Sequence, residues 1–514
     1  MTRNLLLLAT DYIDDITKIM FEKKLIDYCF CIAPIKIATD NSSFIYAHPE
    51  KVTVCFLEDV EKFEAYDAIY DDNEAPALSK ELLQEMLLYE SVAIGMGRRR
   101  EQYPSIDYGE EKRFYLKALR YWNFIIEKFK INYIYLDNIP HYRFSYIIYA
   151  LAKIKKIKIL LTSGSSIPEV MVYGTSIENC GNYIEYEYNN LLADEKIKLC
   201  GTIEDYYKKY SAPVTVKNYL DVSKRTNKKI TKNSVSNYIF GDYIGVNGLT
   251  CYFRRYWTLY RFSKLMDNSK QWFSDRKSYL KWVKKTNRRI LEYKFCDAMS
   301  ITKYNKIAEY PNYNDRYIYF GLQLTPEATI IPRAGVFSEQ LNSIQLIARI
   351  AQKYGIAVYV KEHYVQIYRE REVYEAIKKI PNVKLIKTDV SSMDLISQCF
   401  AVSTQTGTCI LEGALQGKPS IVTSSGNFWK GLPSLFEIRN ETQGDEVMKF
   451  LLYNYQEQEK KEKIYKYFYA IQKTSLFYYN PRSEMKLNQE KYNRCLFDQI
   501  FLLTKLLKNE LVPY

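Results

Sequence analysis

The sequence of 514 residues has few of the residue types that build metal centres or disulfide scaffolds. It holds only three histidines, and its ten cysteines form neither a CxxC pair nor a His/Cys cluster with zinc-ligand spacing. We therefore expect no metal site. Cys29 and Cys31 lie in one apolar run, which indicates reduced, buried thiols of a cytosolic protein.

Long hydrophobic runs are missing as well, since no apolar stretch approaches the roughly 20 residues of a membrane-spanning helix. The N-terminal run RNLLLLATDYIDD is short, acidic residues follow at once, and it has no small-residue cleavage site. It predicts a buried first strand rather than a signal peptide. We expect a cytoplasmic protein whose membrane contact is at most peripheral, at the acidic inner face of the cell membrane.

Familiar catalytic signatures are absent too. The chain has no GxGxxG, Walker A, GxSxG or HExxH pattern, so hydride transfer, P-loop phosphotransfer, serine hydrolysis and zinc proteolysis lack their motifs. The net charge of +13 suits an anionic substrate or an acidic membrane surface. Nucleic acid is not expected as a partner, because no motif that reads RNA or DNA is present.

What the sequence does contain is a repeated alternation of strand and helix patterns in two separate regions. It predicts an α/β fold with two Rossmann-like, doubly wound domains that face a cleft. A basic helical insertion separates them, and C-terminal helices cross back to the first domain. The expected divisions are 1–167, 168–314, 315–445 and 446–514.

In the second region, polar residues follow several apolar strands at the ends where parallel sheets bind ligands. The loop VSTQTGT runs into a predicted helix, where unpaired N–H groups and close backbone approach at Gly407 suit a phosphate. Ser403, Thr406 and Thr408 add hydroxyl groups, and Glu412 can accept hydrogen bonds from ribose. Serine and threonine are also ordinary helix N-caps, so this pattern alone leaves both interpretations open.

Charged residues end a neighbouring strand, in the run Lys361-Glu362-His363. A lysine and an imidazolium near a pyrophosphate can stabilise an anionic leaving group without a metal. Gln323 follows the first strand of the same region and can read a base or sugar edge. Glu327 is either a positioning carboxylate or a loop charge.

The first region has its own polar loop, DNIPHYR, at the carboxyl end of the strand NYIYL. It brings Asp137 and His141 to the edge where ligands bind. An imidazole in such a loop is a usable general base, although a structural role for His141 is equally compatible with the pattern.

Several segments in this order resemble the bacterial capsular polysaccharide biosynthesis proteins, which are similar to capsule-type Kdo transferases. They are YIYFGLQLTPEATIIPRAGVFSEQLNSI, VYVKEH, PNVKLI, STQTGTCILEGALQGKPSIV and, in the first region, NIPHYRFSYIIYALAKIKKIKIL. The resemblance implies a GT-B fold, whose second domain binds a nucleotide-sugar and whose first domain binds the acceptor. It implies a CMP-, UDP- or GDP-sugar as substrate, no cofactor, and His141 or Asp137 as the base. Its implied donor-side residues are Lys361, His363, Thr406, Gly407, Thr408 and Glu412.

Three functions remain open from the sequence. The first is metal-independent transfer of a sugar to a polysaccharide or lipid-linked glycan in capsule assembly. The second is a teichoic-acid-like polyol-phosphate transferase that uses a CDP-polyol. The third is a catalytically degenerate GT-B assembly partner, suggested by Tyr364 where the family usually has proline after the histidine.

Overall fold

The computed structural model describes residues 2–9, 11–34, 43–57, 60, 75–101, 108–192, 196–214, 303–325, 327–363, 369, 371–481 and 487–511. Most of the expected basic insertion, residues 215–302, lies outside the described residues, as does Tyr364.

The strands of the described ranges form two sheets. In chain order they are β1 (Asn4–Leu8), β2 (Tyr28–Ala33), β3 (Val52–Phe56), β4 (Tyr133–Leu136), β5 (Lys158–Gly164), β6 (Val170–Gly174), β7 (Tyr317–Gly321), β8 (Ala357–Lys361), β9 (Val383–Ile386), β10 (Ala401–Thr404), β11 (Ser420–Val422), β12 (Leu435–Glu437) and β13 (Leu476–Phe477).

The described helices cover the faces of these sheets and the chain between them. They are α1 (Ile13–Glu22), α2 (Phe44–Ala47), α3 (Lys80–Glu101), α4 (Tyr108–Lys128), α5 (Arg143–Ile154), α6 (Asn182–Asn189), α7 (Gly201–Ser211), α8 (Gln340–Gln352), α9 (Arg371–Lys378), α10 (Ser392–Gln398), α11 (Cys409–Leu415), α12 (Glu441–Tyr453), α13 (Glu457–Thr474) and α14 (Gln489–Leu507).

Six strands of each sheet follow the same order. The first sheet runs β13-β6-β5-β4-β1-β2-β3 and the second runs β12-β11-β10-β7-β8-β9. Counted within each domain, the second sheet has the 3-2-1-4-5-6 order of a Rossmann fold, and the first has the same order with β13 as a seventh strand beside β6. The second sheet is parallel throughout, whereas β6 and β13 add antiparallel pairs to the first. The prediction of two Rossmann-like domains is confirmed.

Central strands of both sheets are continuous apolar runs, as expected for strands that are covered on both faces. The side chains of Leu5, Leu6 and Leu7 are fully buried, and Val358 and Val360 are buried in the second sheet. Helices therefore pack on both sides of each sheet, and polar groups concentrate where the strands end.

The C-terminal chain returns to the first domain. β13 pairs with β6, and the hydroxyl of Tyr135 on β4 donates to Gln499 on α14 at 2.7 Å. The Tyr12 and Tyr492 rings stack with centroids 4.6 Å apart, which adds a contact between α14 and the start of α1. None of the helices in the described ranges combines the length and hydropathy needed to cross a bilayer.

Candidate functional site

The reversal points of the two strand orders meet at one crevice. They lie between β1 and β4 in the first domain and between β7 and β10 in the second. Loops at such reversals form the ligand crevice of Rossmann-like domains. Nε2 of His141, after β4, lies 4.0 Å from a carboxylate oxygen of Glu327, after β7. The crevice therefore runs between the domains and has a titratable group on each wall.

His141 is oriented by the backbone of its own loop. Its Nδ1 lies 2.7 Å from the carbonyl oxygen of Ile139, which can only accept a hydrogen bond. Nδ1 therefore carries a proton, and in the neutral ring Nε2 holds the lone pair on the side that faces Glu327. The other oxygen of Glu327 accepts the backbone N–H of Thr329 at 2.9 Å, and this hydrogen bond positions the carboxylate. The arrangement can accept a proton at Nε2.

A cavity of about 180 Å³ opens beside His141 in the first domain. It lies at the carboxyl ends of β1, β4 and β5, and the returning C-terminal segment forms its far wall. Its polar lining includes Asp11, Asp137, Asn138, His141, Tyr478 and Asn480. The two first-domain residues predicted from the sequence, Asp137 and His141, thus share one cavity that borders the crevice.

On the second-domain side, Arg333 is a buried cation that makes no ion pair with a carboxylate in the described part of the chain. Its side chain is 7% exposed, its Nε donates to the carbonyl of Gly426 at 3.1 Å, and its guanidinium lies 3.7 Å from the ring centroid of Phe428. No described residue accepts from its Nη nitrogens, and Glu327 acts only through its more distant charge. Burial lowers the pKa of Arg333 to about 10. An anion in the crevice would compensate this charge.

A second buried arginine shows the contrasting arrangement. Arg369 donates through Nε to Glu362 at 2.7 Å and through Nη2 to the carbonyl of Gln323 at 2.8 Å. Tyr374 donates to the same carboxylate at 2.6 Å. Burial acts to lower the pKa of Arg369, but the charge and hydrogen bonds of Glu362, together with the charges of Tyr374 and Glu339, outweigh it and the pKa is raised. Glu362 is 3% exposed and serves a buried ion pair beneath the crevice.

Gln323, expected to read a base or sugar edge, connects β7 with the loop after β10. Its Oε1 accepts the backbone N–H groups of Gln405 at 3.1 Å and Thr406 at 2.9 Å. The backbone N–H of Gln323 donates to the side-chain oxygen of Gln340 at 2.8 Å, and the side-chain amide of Gln340 donates to the backbone carbonyl of Gln323 at 3.0 Å. The Gln323 side chain is therefore hydrogen-bonded inside the protein, where it positions residues 405–408 after β10, which we call the threonine loop.

The hydroxyl groups of Ser403 and Thr406 also point inward, whereas Thr408 is exposed. Ser403 donates to the carbonyl of Ile421 at 2.8 Å, and the Thr406 hydroxyl donates to the carbonyl of Thr329. Thr408 donates to Glu412 at 3.2 Å. The described residues offer no acceptor to the N–H of Gly407 or of Thr408, and α11 beyond them has only seven residues. The loop therefore presents the backbone N–H groups of Gly407 and Thr408 together with the exposed hydroxyl of Thr408.

Burial shifts the pKa values of three further predicted residues, Lys361, His363 and Glu412. Lys361 is buried, its Nζ lies 3.2 Å from the hydroxyl of Ser392, and burial lowers its pKa to about 8. Burial also lowers the pKa of His363, which disfavours the protonated ring in the absence of a bound anion. For Glu412, burial raises the pKa.

Arg333, Arg369 and Gln340 were not found from the sequence. Each lies several residues beyond a strand end, and only the fold returns it to the crevice wall. Only Arg333 stands in an otherwise apolar segment, IIPRAGVF, whereas Arg369 and Gln340 lie among other charged or polar residues and give no signal of their own. In the described part of the chain, no group of three or more His, Cys, Asp or Glu side chains is placed to hold a metal ion.

Comparison with known proteins gives matches of overall architecture only. No family model and no curated protein matches the sequence. Among solved structures, S. aureus MnaA with UDP shares 9% identity, with 92% of this chain and 94% of that chain covered and a TM-score of 0.24. Thermosulfurimonas dismutans KpsC, a β-Kdo 2,7 transferase, shares 11% identity over 71% and 82%, with a TM-score of 0.25. Methanocaldococcus jannaschii UDP-GlcNAc 2-epimerase with UDP-GlcNAc and UDP shares 12% identity, with 88% of this chain and 93% of that chain covered and a TM-score of 0.24.

Identities and TM-scores this low do not transfer an activity. The function of the chain must therefore be inferred from the chemistry of its own crevice and cavity.

Proposed function

We propose that this protein is a glycosyltransferase that moves a sugar from a nucleotide-sugar to a hydroxyl group of a glycan acceptor. The observation that carries the proposal is the buried Arg333 guanidinium near Glu327: its Nη nitrogens have no acceptor among the described residues, and the Glu327 carboxylate faces His141 across the crevice. One wall thus offers a site for an anionic leaving group, and the other offers a proton acceptor beside a cavity.

The donor is proposed to lie on the second domain. A buried arginine without a carboxylate partner is costly, and a diphosphate can pair with its Nη groups in two charge-assisted hydrogen bonds. The N–H groups of Gly407 and Thr408 and the ring of His363 are proposed to flank the same ligand. Gln323 and Glu362 support this wall through their internal contacts.

The acceptor is proposed to enter the first-domain cavity with its hydroxyl group at Nε2 of His141. Nε2 takes the hydroxyl proton while the acceptor oxygen bonds to the anomeric carbon. The bond from that carbon to the phosphate oxygen breaks, and the nucleotide leaves with the electron pair near Arg333. Glu327 stabilises the imidazolium that forms, and Asp137 orients the acceptor.

The biological setting is proposed from the sequence resemblance. It is the assembly of a capsule or another surface polysaccharide, with a polysaccharide or lipid-linked glycan as acceptor, without a metal, and with peripheral contact to the cell membrane. Transfer of a polyol phosphate from a CDP-polyol would use the same anion site. Incubation with CDP-glycerol and analysis of product phosphate separates the two reactions.

Titration calorimetry with UDP, CMP, CDP and GDP in the presence of EDTA tests the donor site. We expect at least one nucleotide to bind, and we expect Arg333→Gln to weaken that binding at least tenfold, because charge-assisted hydrogen bonds are lost. The matched control is Arg349→Gln, an exposed arginine of the same domain that pairs with Glu441. Equal affinity in both variants would overturn the assignment of Arg333.

The catalytic role of His141 requires a separate measurement. His141→Ala should lower the rate of transfer by about 100-fold or more while nucleotide affinity stays unchanged. Unchanged transfer would remove His141 as the base. Nucleotide binding without turnover of any sugar or polyol donor in the wild type would favour the degenerate assembly partner.

A further inference from the structure

Thr329 lies in the segment between β7 and α8, two residues after Glu327, and it holds that carboxylate with two donors. Its backbone N–H donates to Oε2 of Glu327 at 2.9 Å, and its hydroxyl group donates to the same oxygen. The other carboxylate oxygen, Oε1, is the one that lies 4.0 Å from Nε2 of His141. Thr329 therefore fixes one carboxylate oxygen while the other faces the first domain.

The carbonyl group of Thr329 connects this pair to the threonine loop. It accepts the hydroxyl group of Thr406, which in turn accepts the side-chain amide of Gln323 at 3.3 Å. Gln323 and Thr406 are buried, so these hydrogen bonds lie in the interior of the second domain. A continuous chain of hydrogen bonds thus runs from the end of β7 through the threonine loop and Thr329 to Glu327.

We propose that Thr329 is a positioning residue: it fixes Glu327 opposite His141 and ties this pair to the threonine loop. The attraction between a carboxylate and an imidazolium depends on the distance between them. A glutamate side chain has several rotatable bonds, so it keeps that distance only where other groups restrain it. The hydroxyl group of Thr329 therefore strengthens the support that Glu327 gives to proton transfer at Nε2. This role in catalysis rests on the proposed function, whereas the placement of the carboxylate does not.

Other charged groups also act on this pair. Asp11 and Asp137 line the same cavity as His141, and the charges of Arg333 and Glu327 act on each other. These groups are the same in every variant at position 329, so a difference between such variants reports the placement of Glu327. Substitution by serine there keeps the hydroxyl donor, whereas substitution by valine replaces it with a methyl group.

NMR titration of the imidazole groups in untagged protein measures this placement without any substrate. The chain holds only three histidines, and His141→Ala identifies the signal of His141. We expect Glu327→Gln to lower the midpoint of the His141 titration by about half a pH unit or more, because a nearby carboxylate favours the charged ring. Thr329→Val should lower it by roughly a third of that shift or more, and Thr329→Ser should keep the wild-type midpoint.

Further variants test the route of the effect. In a Glu327→Gln background, Thr329→Val should cause no additional shift, since the two residues act through one carboxylate. Thr406→Val should lower the midpoint as well, because it removes the donor to the Thr329 carbonyl. Thr474→Val is the matched control, since its hydroxyl donates to the carbonyl of Ala470 within α13, and it should leave the midpoint unchanged.

The outcomes separate this inference from the proposed function. A wild-type midpoint or an upward shift in Thr329→Val, or an equal shift in the Glu327→Gln background, would overturn the positioning role. An unchanged midpoint in Thr406→Val would overturn the connection to the threonine loop. Absence of transfer or of nucleotide binding in the wild type would overturn the proposed function and leave the titration result standing.

Transfer assays give a second readout of the same residue. Thr329→Val should lower kcat about threefold or more while nucleotide affinity stays unchanged, because the hydroxyl acts on the base and not on the donor. Thr329→Ser should restore kcat to within about twofold of the wild type. An unchanged kcat in Thr329→Val would overturn the role of Thr329 in the reaction.

Discussion

Lys361 is a buried ammonium group at the end of β8, and its partner is a hydroxyl rather than a carboxylate. Its Nζ lies 3.2 Å from the hydroxyl of Ser392, and burial lowers its pKa from 10.5 to about 8. The native state therefore binds this proton more weakly than the unfolded chain does. Below pH 8 Lys361 is charged in both the folded and the unfolded state, so folding incurs the full desolvation penalty of the ammonium group.

We predict that Lys361→Met stabilises the protein near pH 7. A pKa difference of this size corresponds to roughly 3 kcal/mol, and loss of the Ser392 contact offsets part of it. The unfolded chain binds more protons between about pH 8 and 10.5, so wild-type stability rises with pH in this window. The difference in free energy of unfolding between Lys361→Met and the wild type should therefore be smaller at pH 10 than at pH 7, as measured by urea unfolding at both pH values. An equal difference at both pH values would show that the pKa is not lowered.

Single residues were predictable from the sequence only where a strand end fixes their position. His141 and Glu327 were each identified in this way, and the structure places them 4.0 Å apart across the crevice. Arg333 and Arg369 were missed, because their positions depend on how long loops fold back. Gln323 and Glu362 were placed at strand ends, but partners such as Arg369 for Glu362, 7 positions away, and Thr406 for Gln323, 83 positions away, are not contained in local patterns.

At the scale of elements, the threonine loop after β10 depends on contacts from other elements rather than on its own sequence. Gln323 at the end of β7 accepts two of its backbone N–H groups, and Gln340 on α8 holds Gln323 in place. Gln405 in the loop accepts the hydroxyl of Thr423 at 2.7 Å. The loop is thereby held between β7, α8 and the segment after β11.

We predict that Gln323→Ala destabilises the protein by about 2–4 kcal/mol, because it leaves the buried N–H groups of Gln405 and Thr406 without an acceptor. Urea unfolding measures this loss, and nucleotide affinity should fall with it. Gln398→Ala on α10 is the matched control, since among the described residues its amide makes only a long contact of 3.5 Å, to the carbonyl of Asp394. A loss no larger than that of the control would contradict the positioning role.

Regular elements were the best predicted level of the structure. The apolar run that contains Cys29 and Cys31 forms β2, and the apolar part of PNVKLI forms β9, because an apolar run between polar residues marks a buried parallel strand. The short strand β13 was missed, since it pairs with β6 about 300 residues earlier and has only two residues. Its pairing is set by the path of the C-terminal chain rather than by local propensity.

On the scale of the whole molecule, the two domains share buried contacts. A single apolar cluster contains Trp122 and Ile147 of the first domain, Leu411 and Phe428 of the second, and Tyr467 of α13. Phe428 belongs to both the apolar cluster and the candidate site, because its ring makes a cation–π contact with the Arg333 guanidinium. The relative position of the domains is therefore coupled to the proposed donor site.

The contact between the backbone of Gly181 and Phe428 of the second domain can be tested by substitution. Gly181 has a φ of 89°, and a Cβ on it would lie 2.3 Å from the carbonyl oxygen of Phe428. Gly201 is a matched control, because its φ is 61° and a Cβ there would meet nothing within 4 Å. Alanine at either position incurs the backbone strain of the left-handed region, about 1–2 kcal/mol. Only Gly181→Ala also displaces the second domain.

We predict that Gly181→Ala lowers the free energy of unfolding by about 2 kcal/mol more than Gly201→Ala does, since a packed contact must open. Because the displaced carbonyl belongs to Phe428, nucleotide affinity should fall severalfold in Gly181→Ala and stay unchanged in Gly201→Ala. Urea unfolding and titration calorimetry on the two variants measure both effects. If the two variants lose equal stability and bind nucleotide equally, the donor site does not depend on this junction, and the second domain alone sets the position of Arg333.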